Sequence, residues 1–177
     1  RKDFSSDLNI HWRGVAQHLW RSEFRELHYI SIELLIKQHR MWTKEDFDFF
    51  EQMVVEKSWW DTVDSIATNL IGQYLLKNPM IKNGKSLEWM SSQNMWLNRV
   101  SIIFQLKYKE DTDLEILENA IARHKTSSDF FLKKAIGWSL RQYAKTDANW
   151  VRQFLQRHEL SNLSRKEALK NIGQDDE

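Results

Sequence analysis

The 177-residue chain contains no cysteine, which excludes disulfide bonds and thiolate chemistry and is compatible with a reducing cytoplasm. It has one proline, Pro79, and only five glycines, a scarcity that disfavours a turn-rich β-sandwich and suits long helices. The sequence also lacks the roughly 18 consecutive apolar residues of a membrane helix, and it shows no signal-peptide pattern. These absences predict an all-α protein that works in the cytoplasm and does not enter a membrane.

Signals for a metal or a cofactor are also scarce. The six histidines are scattered along the chain without the spacing of a zinc site. The sequence contains neither a glycine-rich phosphate loop nor the nucleophile elbow of a hydrolase. We therefore expect that the protein uses no metal and no cofactor.

Helix start signals recur along the chain, each a residue whose side-chain oxygen can accept the first free amide hydrogens of a helix. The first predicted helix covers about residues 23–38 and buries an apolar face of Leu27, Ile30, Leu34 and Leu35. The long helix that begins after Ser58 should stop near Pro79. No convincing strand pattern accompanies these signals. The predicted N-caps are Ser22, Thr43, Ser58, Asn94, Asp113, Ser128, Asp147 and Ser164.

An aromatic residue recurs at the start of four predicted helices. Phe24, Trp60, Trp96 and Phe131 are separated by 36, 36 and 35 residues. A period in this range, built of two helices, is the signature of an α-solenoid such as the HEAT type, in which stacked neighbours cover the apolar face that one helix pair leaves open. We therefore expect residues 1–177 to form one domain of HEAT-like antiparallel helix pairs.

Positive charge is concentrated near the end of the chain although the net charge is only +1. Between Phe131 and Lys170 nine Lys and Arg residues stand against three acidic ones. Such a surplus is a candidate surface for polyanions. The alternative is that these residues only solvate helix faces. The basic residues are Lys133, Lys134, Arg141, Lys145, Arg152, Arg157, Arg165, Lys166 and Lys170.

Four residues occupy comparable levels of successive repeats and are candidates for a shared groove. Trp60 and Asp64 are four residues apart and therefore share a helix face. A carboxylate beside apolar residues loses hydration unless a cation compensates it, although an Asp in a cap or a salt bridge is the more common case. Arg99 has a stem that can pack while its guanidinium contacts a phosphate, and the alternative for it is an ordinary interhelix ion pair.

Trp138 is the fourth candidate. Lys134 lies four residues before it and Arg141 three residues after it, and an aromatic plate between cations suits a sugar–phosphate backbone. The alternative is a core tryptophan, which is weakened because Leu132 and Ile136 already supply apolar residues on another side of the helix.

Four sequence runs together resemble the AlkD family of bacterial DNA alkylation repair enzymes. They are Ser58–Asp64, Trp96–Val100, Phe131–Trp138 and Leu163–Ala168, and the resemblance covers nearly the whole chain. It implies a HEAT-like solenoid and a DNA glycosylase that removes purines alkylated at ring nitrogen three or seven from double-stranded DNA. A monomer in the bacterial cytoplasm, without membrane association, is the corresponding expectation.

The resemblance also implies roles for single residues. The family's catalytic aspartate falls on Asp64, its two groove tryptophans on Trp60 and Trp138, and its phosphate-binding arginine on Arg99. The family's first helices would precede Arg1, and we expect them to be missing from this sequence. Two other functions stay open, which are a non-catalytic solenoid that binds DNA and a protein scaffold.

Overall fold

The computed structural model of the chain describes residues 4–172, and over this range it is helical without a β-strand. This confirms the predicted all-α class. None of the described helices combines the length and apolarity needed to cross a membrane. The α-helices are α1 (Phe4–Arg21), α2 (Arg25–Lys37), α3 (Lys44–Val55), α4 (Trp60–Ser65), α5 (Gly72–Lys77), α6 (Pro79–Met90), α7 (Met95–Ile103), α8 (Leu114–His124), α9 (Phe130–Tyr143), α10 (Ala148–Arg157) and α11 (Asn162–Ala168).

A π-helical segment, Ile66–Ile71, joins α4 to α5 without a break. Five of its six residues are buried, which is typical of a helical segment that is covered on more than one side. Thr68 supports this segment because its hydroxyl donates to the carbonyl oxygen of Asp64 at 2.8 Å. Single π-helical turns are rare and occur frequently at functional sites. The segment begins two residues after Asp64, a candidate site residue.

The chain divides into two compact units, of which the first ends at Tyr74. In this unit α1 packs on α2, and α2, α3 and α4 each contact the π-helical segment or one another. Large side chains fill its core because the apolar faces of these helices converge there. The fully buried ones include Trp12, Trp20, Phe47, Phe50, Met53 and Ile66.

The second unit begins at Leu75. Helix α7 contacts α6, α8 and α9, and α9 in turn packs along α11. The two helices approach each other closely at Gly137, where a Cβ atom would lie 2.5 Å from Glu167 Cβ and 2.7 Å from the carbonyl oxygen of Ser164. Because only a glycine lacks this atom, Gly137 allows α9 and α11 to touch. The buried core includes Trp89, Val100, Ile103, Phe104, Ile136 and Phe154.

The predicted helix starts of the repeat are confirmed. Phe24 is the N-cap of α2, Trp60 is the first residue of α4, and Trp96 and Phe131 are the second residues of α7 and α9. Hydrogen bonds between helices often join residues about one repeat apart, with separations of 36 for Arg25 and Asp61, 32 for Arg99 and Phe131, and 33 for Lys134 and Glu167. This spacing is expected when a repeat contacts its neighbours within each unit. The arrangement of residues 1–177 as one domain stays a prediction.

Two features of the first predicted helix are wrong. The helix starts after Phe24, whose side chain makes no capping bond, although Ser22 was expected to cap it. Its buried face contains His28, Ser31, Ile32 and Leu35, so Leu35 is buried as predicted, whereas Ile30 is 52% exposed. The polar members are tolerated because the Ser31 hydroxyl donates to the Ala16 carbonyl at 2.8 Å and His28 bonds the Ser22 carbonyl at 2.9 Å.

Two helices, α1 and α6, were not predicted. Pro79 was expected to mark the end of a helix, and α5 does end at Lys77, but Pro79 is also the first residue of α6. Proline is tolerated there because the first turn of a helix does not need its N–H, and the fixed φ angle of the ring is already helical. The helices that were expected to precede Arg1 lie outside the described residues.

Candidate nucleic-acid interface

In the first unit, the candidate site lies at the start of α4. Trp59 is the extended N-cap, and Trp60, the first residue of the helix, is 47% exposed. Asp64 lies one turn later and is half-buried between the buried Val63 and Ala67. The helix therefore presents an indole face and a carboxylate at adjacent levels of one side.

A second carboxylate, Asp61, lies between these two residues and is already occupied. Arg25 donates to its Oδ1, the Tyr29 hydroxyl donates to its Oδ2 at 2.5 Å, and the Thr62 amide donates at 2.6 Å. Burial opposes ionisation of Asp61, but the bonds from Tyr29 and Arg25 outweigh it, so the pKa of this carboxyl lies below its ordinary value. Asp61 therefore remains ionised, and the positive charge of Arg25 balances it. The carboxylate thus serves as an anchor that fixes the first turn of α4.

Sequence reasoning missed this anchor. The signal that identifies it is the 36-residue separation of Arg25 and Asp61, which equals the repeat period. Since neighbouring repeats place residues one period apart side by side, an opposite-charge pair at that distance is a candidate interhelix bond.

In the second unit, Arg99 is only 4% exposed. One of its guanidinium nitrogens donates to the Phe131 carbonyl, and the Trp96 ring lies on the Phe131 ring at a centroid distance of 5.1 Å. Arg99 therefore links α7 to the first turn of α9. Its predicted phosphate contact stays a prediction.

Trp138 is half-buried on α9, away from the buried Leu132, Ile136 and Leu140. Lys134 precedes it by about one turn and Arg141 follows it by about one turn, so all three project near one side of the helix. Both cations contact the carboxylate of Glu167 on α11, with 2.7 Å between Lys134 Nζ and Oε2. The three residues therefore share one side of α9, and their contact with a sugar–phosphate backbone stays a prediction.

Glu167 was not singled out from the sequence. Its carboxylate binds Lys134, Arg141 and also Lys170, whose Nζ lies 2.9 Å from Oε2. The hydrogen bond from Lys134, together with that from Lys170 and the charge of Arg141, outweighs burial and lowers the pKa of Glu167 to about 2. The available signal was its place in the run Leu163–Ala168.

The candidate residues belong to different units. Trp60 and Asp64 lie in the first unit, whereas Arg99 and Trp138 lie in the second. Their convergence on one groove therefore stays a prediction. Among the described residues, no cluster of three His, Asp or Glu side chains is arranged to hold a metal ion.

Comparison with known proteins gives this geometry a context. The family model described as DNA alkylation repair enzyme matches residues 1–172. The chain belongs to this family. A solved structure from Enterococcus faecalis, entitled predicted DNA alkylation repair enzyme, superposes on this member with a TM-score of 0.85 and 30% sequence identity, covering 91% of this chain and 75% of the other. No curated protein matches the chain significantly.

Membership in the DNA alkylation repair enzyme family implies an enzyme of DNA repair that acts on DNA. The structural likeness extends over most of both chains. This family description does not specify the AlkD-type reaction or its alkylpurine substrates.

Proposed function

We propose that the protein is an AlkD-type DNA glycosylase, which hydrolyses the N-glycosidic bond of cationic N3- or N7-alkylated purines in double-stranded DNA. The observation that carries the proposal is the pairing on α4 of a solvent-exposed indole, Trp60, with the half-buried Asp64 carboxylate one turn later. In a member of a DNA alkylation repair family, this pairing has the chemistry that a positively charged nucleotide requires.

The leaving group explains why so few catalytic residues suffice. A purine alkylated at N3 or N7 is already cationic, so it departs without a strong general acid. The sugar that remains has oxocarbenium character, as in glycoside hydrolysis. Asp64 would oppose that charge and orient the attacking water, since an ion pair at about 4 Å and an effective dielectric near 20 is worth on the order of 4 kcal/mol.

The two tryptophans would stabilise the same positive charge. An indole face attracts a cation by about 0.5–2 kcal/mol, depending on how far the pair is desolvated. Trp60 has such a face open to solvent, and Trp138 is half-buried between Lys134 and Arg141. These contacts would favour cationic lesions over neutral bases, and the flanking cations would bind the backbone phosphates.

Base release from duplex DNA tests the proposal. The purified chain should release 7-methylguanine or 3-methyladenine from a methylated duplex and leave a neutral modified purine in place, as chromatography of the freed bases would show. Salt-sensitive binding without base release would instead identify a non-catalytic DNA-binding solenoid. A chain without salt-sensitive DNA affinity would fit a protein scaffold.

Arg99→Ala tests the proposed phosphate contact. If one guanidinium N–H reaches a phosphate while another holds the Phe131 carbonyl, the variant should bind duplex DNA more weakly, and the slope of log K against log salt should fall by about one contact. It should also lose about 1–3 kcal/mol of folding stability because the hydrogen bond from the Arg99 guanidinium to the Phe131 carbonyl is removed. A stability loss with an unchanged salt slope would leave Arg99 as an interhelix link only.

A further inference from the structure

Glu167 differs from an ordinary salt-bridge partner in the number of cations that it holds. Three of them, Lys134, Arg141 and Lys170, surround one carboxylate whose side chain is 5% exposed. One negative charge cannot neutralise three positive ones, so the cluster keeps an excess of positive charge. The exposed fractions of the Lys134 and Arg141 side chains are 37% and 27%, so part of each side chain is accessible to solvent.

The backbone around Glu167 is held in a defined position. Gly137 lets α11 approach α9 until a Cβ atom would overlap Glu167 Cβ. The Ser164 hydroxyl donates to the Lys133 carbonyl at 2.9 Å, which ties the first turn of α11 to α9. Since Glu167 follows Ser164 by one helical turn, its backbone is fixed relative to α9.

We propose that Glu167 is a positioning residue that holds the head groups of Lys134 and Arg141 beside each other at one carboxylate, on the side of α9 that carries Trp138, where they bind the phosphates of a DNA backbone. The inference rests on the proposed DNA-binding function of α9. Lys134 and Arg141 are about two helical turns apart, and Trp138 lies between them. Each cation keeps N–H donors that Glu167 does not use, so both can bind Glu167 and a phosphate at once.

The energetic reason is the conformational freedom of long basic side chains. A lysine or an arginine that is ordered only when DNA binds loses rotamer freedom at that moment, and this loss weakens the complex. Glu167 removes part of the cost because it orders both side chains in the free protein. Its charge by itself repels phosphates, so its effect through position is opposite in sign to its effect through charge.

The two effects can be separated with Glu167→Gln and the control Glu159→Gln. Glu159 is an exposed acidic residue of the same basic region, and its replacement changes the net charge equally. For an undamaged duplex at low salt, Glu159→Gln should bind slightly more tightly, by about twofold. Glu167→Gln should bind about tenfold more weakly, since two side chains lose their ordering. Unchanged or tighter binding of Glu167→Gln overturns the proposal.

A second variant keeps the test decisive if Glu167→Gln fails to fold. Glu167→Asp retains the charge but draws the carboxylate back by one methylene, so it should no longer reach both cations. It should bind DNA about threefold more weakly, because part of the side-chain ordering is lost. Affinity equal to that of the wild type would overturn the positioning role.

A double variant, Lys134→Gln/Arg141→Gln, serves as the background that identifies the residues through which Glu167 acts. In that background Glu167→Gln should no longer weaken binding, because the side chains that it positions are absent. A loss that persists undiminished there overturns the proposal, and circular dichroism would check that each variant is folded.

If the wild type neither binds duplex DNA nor releases alkylpurines, the proposed function itself fails. If the wild type does both and Glu167→Gln behaves like Glu159→Gln, only the positioning role fails.

Discussion

Asp64→Asn is expected to reduce the rate of alkylpurine release by about a thousandfold while leaving duplex binding nearly unchanged. The substitution keeps the size of the side chain but removes the negative charge that would face the oxocarbenium-like sugar. A loss on the order of 4 kcal/mol in the transition state corresponds to roughly three powers of ten in rate. Single-turnover release of 7-methylguanine, measured beside the dissociation constant for an undamaged duplex, would separate chemistry from binding.

Asp61→Asn is the matched control for this experiment. Asp61 lies on the same helix, three residues before Asp64, but its carboxylate is occupied by Arg25, Tyr29 and the Thr62 amide. Its replacement should change the release rate by less than about tenfold, through a small loss of order in the first turn of α4. Wild-type rates for Asp64→Asn, or equal losses for the two variants, would remove Asp64 from its proposed role.

Gly137→Ala is expected to lower the free energy of unfolding by about 3 kcal/mol, a large effect for one methyl group. The added Cβ would lie 2.5 Å from Glu167 Cβ and 2.7 Å from the Ser164 carbonyl oxygen, and neither atom belongs to the flexible end of a side chain. Helices α9 and α11 would therefore have to separate, at the upper end of the usual cost of overpacking. Equilibrium unfolding in urea would measure the change.

Gly84→Ala provides a control of opposite sign. Gly84 lies inside α6, and a Cβ atom at this position would meet no atom within 4 Å. Alanine should therefore stabilise the protein by about 0.5–1 kcal/mol, because it is the better helix former and restricts the unfolded chain. If Gly137→Ala proved as harmless as Gly84→Ala, the close approach of α9 and α11 would not be required for stability.

The sequence predicted the environment of some candidate residues but not that of others. The position of Trp138 away from the core of α9 was predictable, because the helical spacing of Leu132, Ile136 and Leu140 assigns the core face to another side. The burial of Arg99 was not predictable, since it depends on where the Phe131 carbonyl lies on a neighbouring helix. For the same reason, the sequence identified Lys134 and Arg141 as cations but did not reveal that both bind Glu167.

Local patterns in the chain are enough to establish its helical class, most helix starts and the repeat spacing. Capping, hydrophobic periodicity and the recurrence of aromatic residues all act over a few residues or at a constant period. Lateral packing decided which charged groups became partners, as for Asp61 with Arg25 and for Glu167 with its three cations. Those pairs join residues 26 to 36 positions apart or one helical turn apart, and their geometry exists only after neighbouring helices have come into contact.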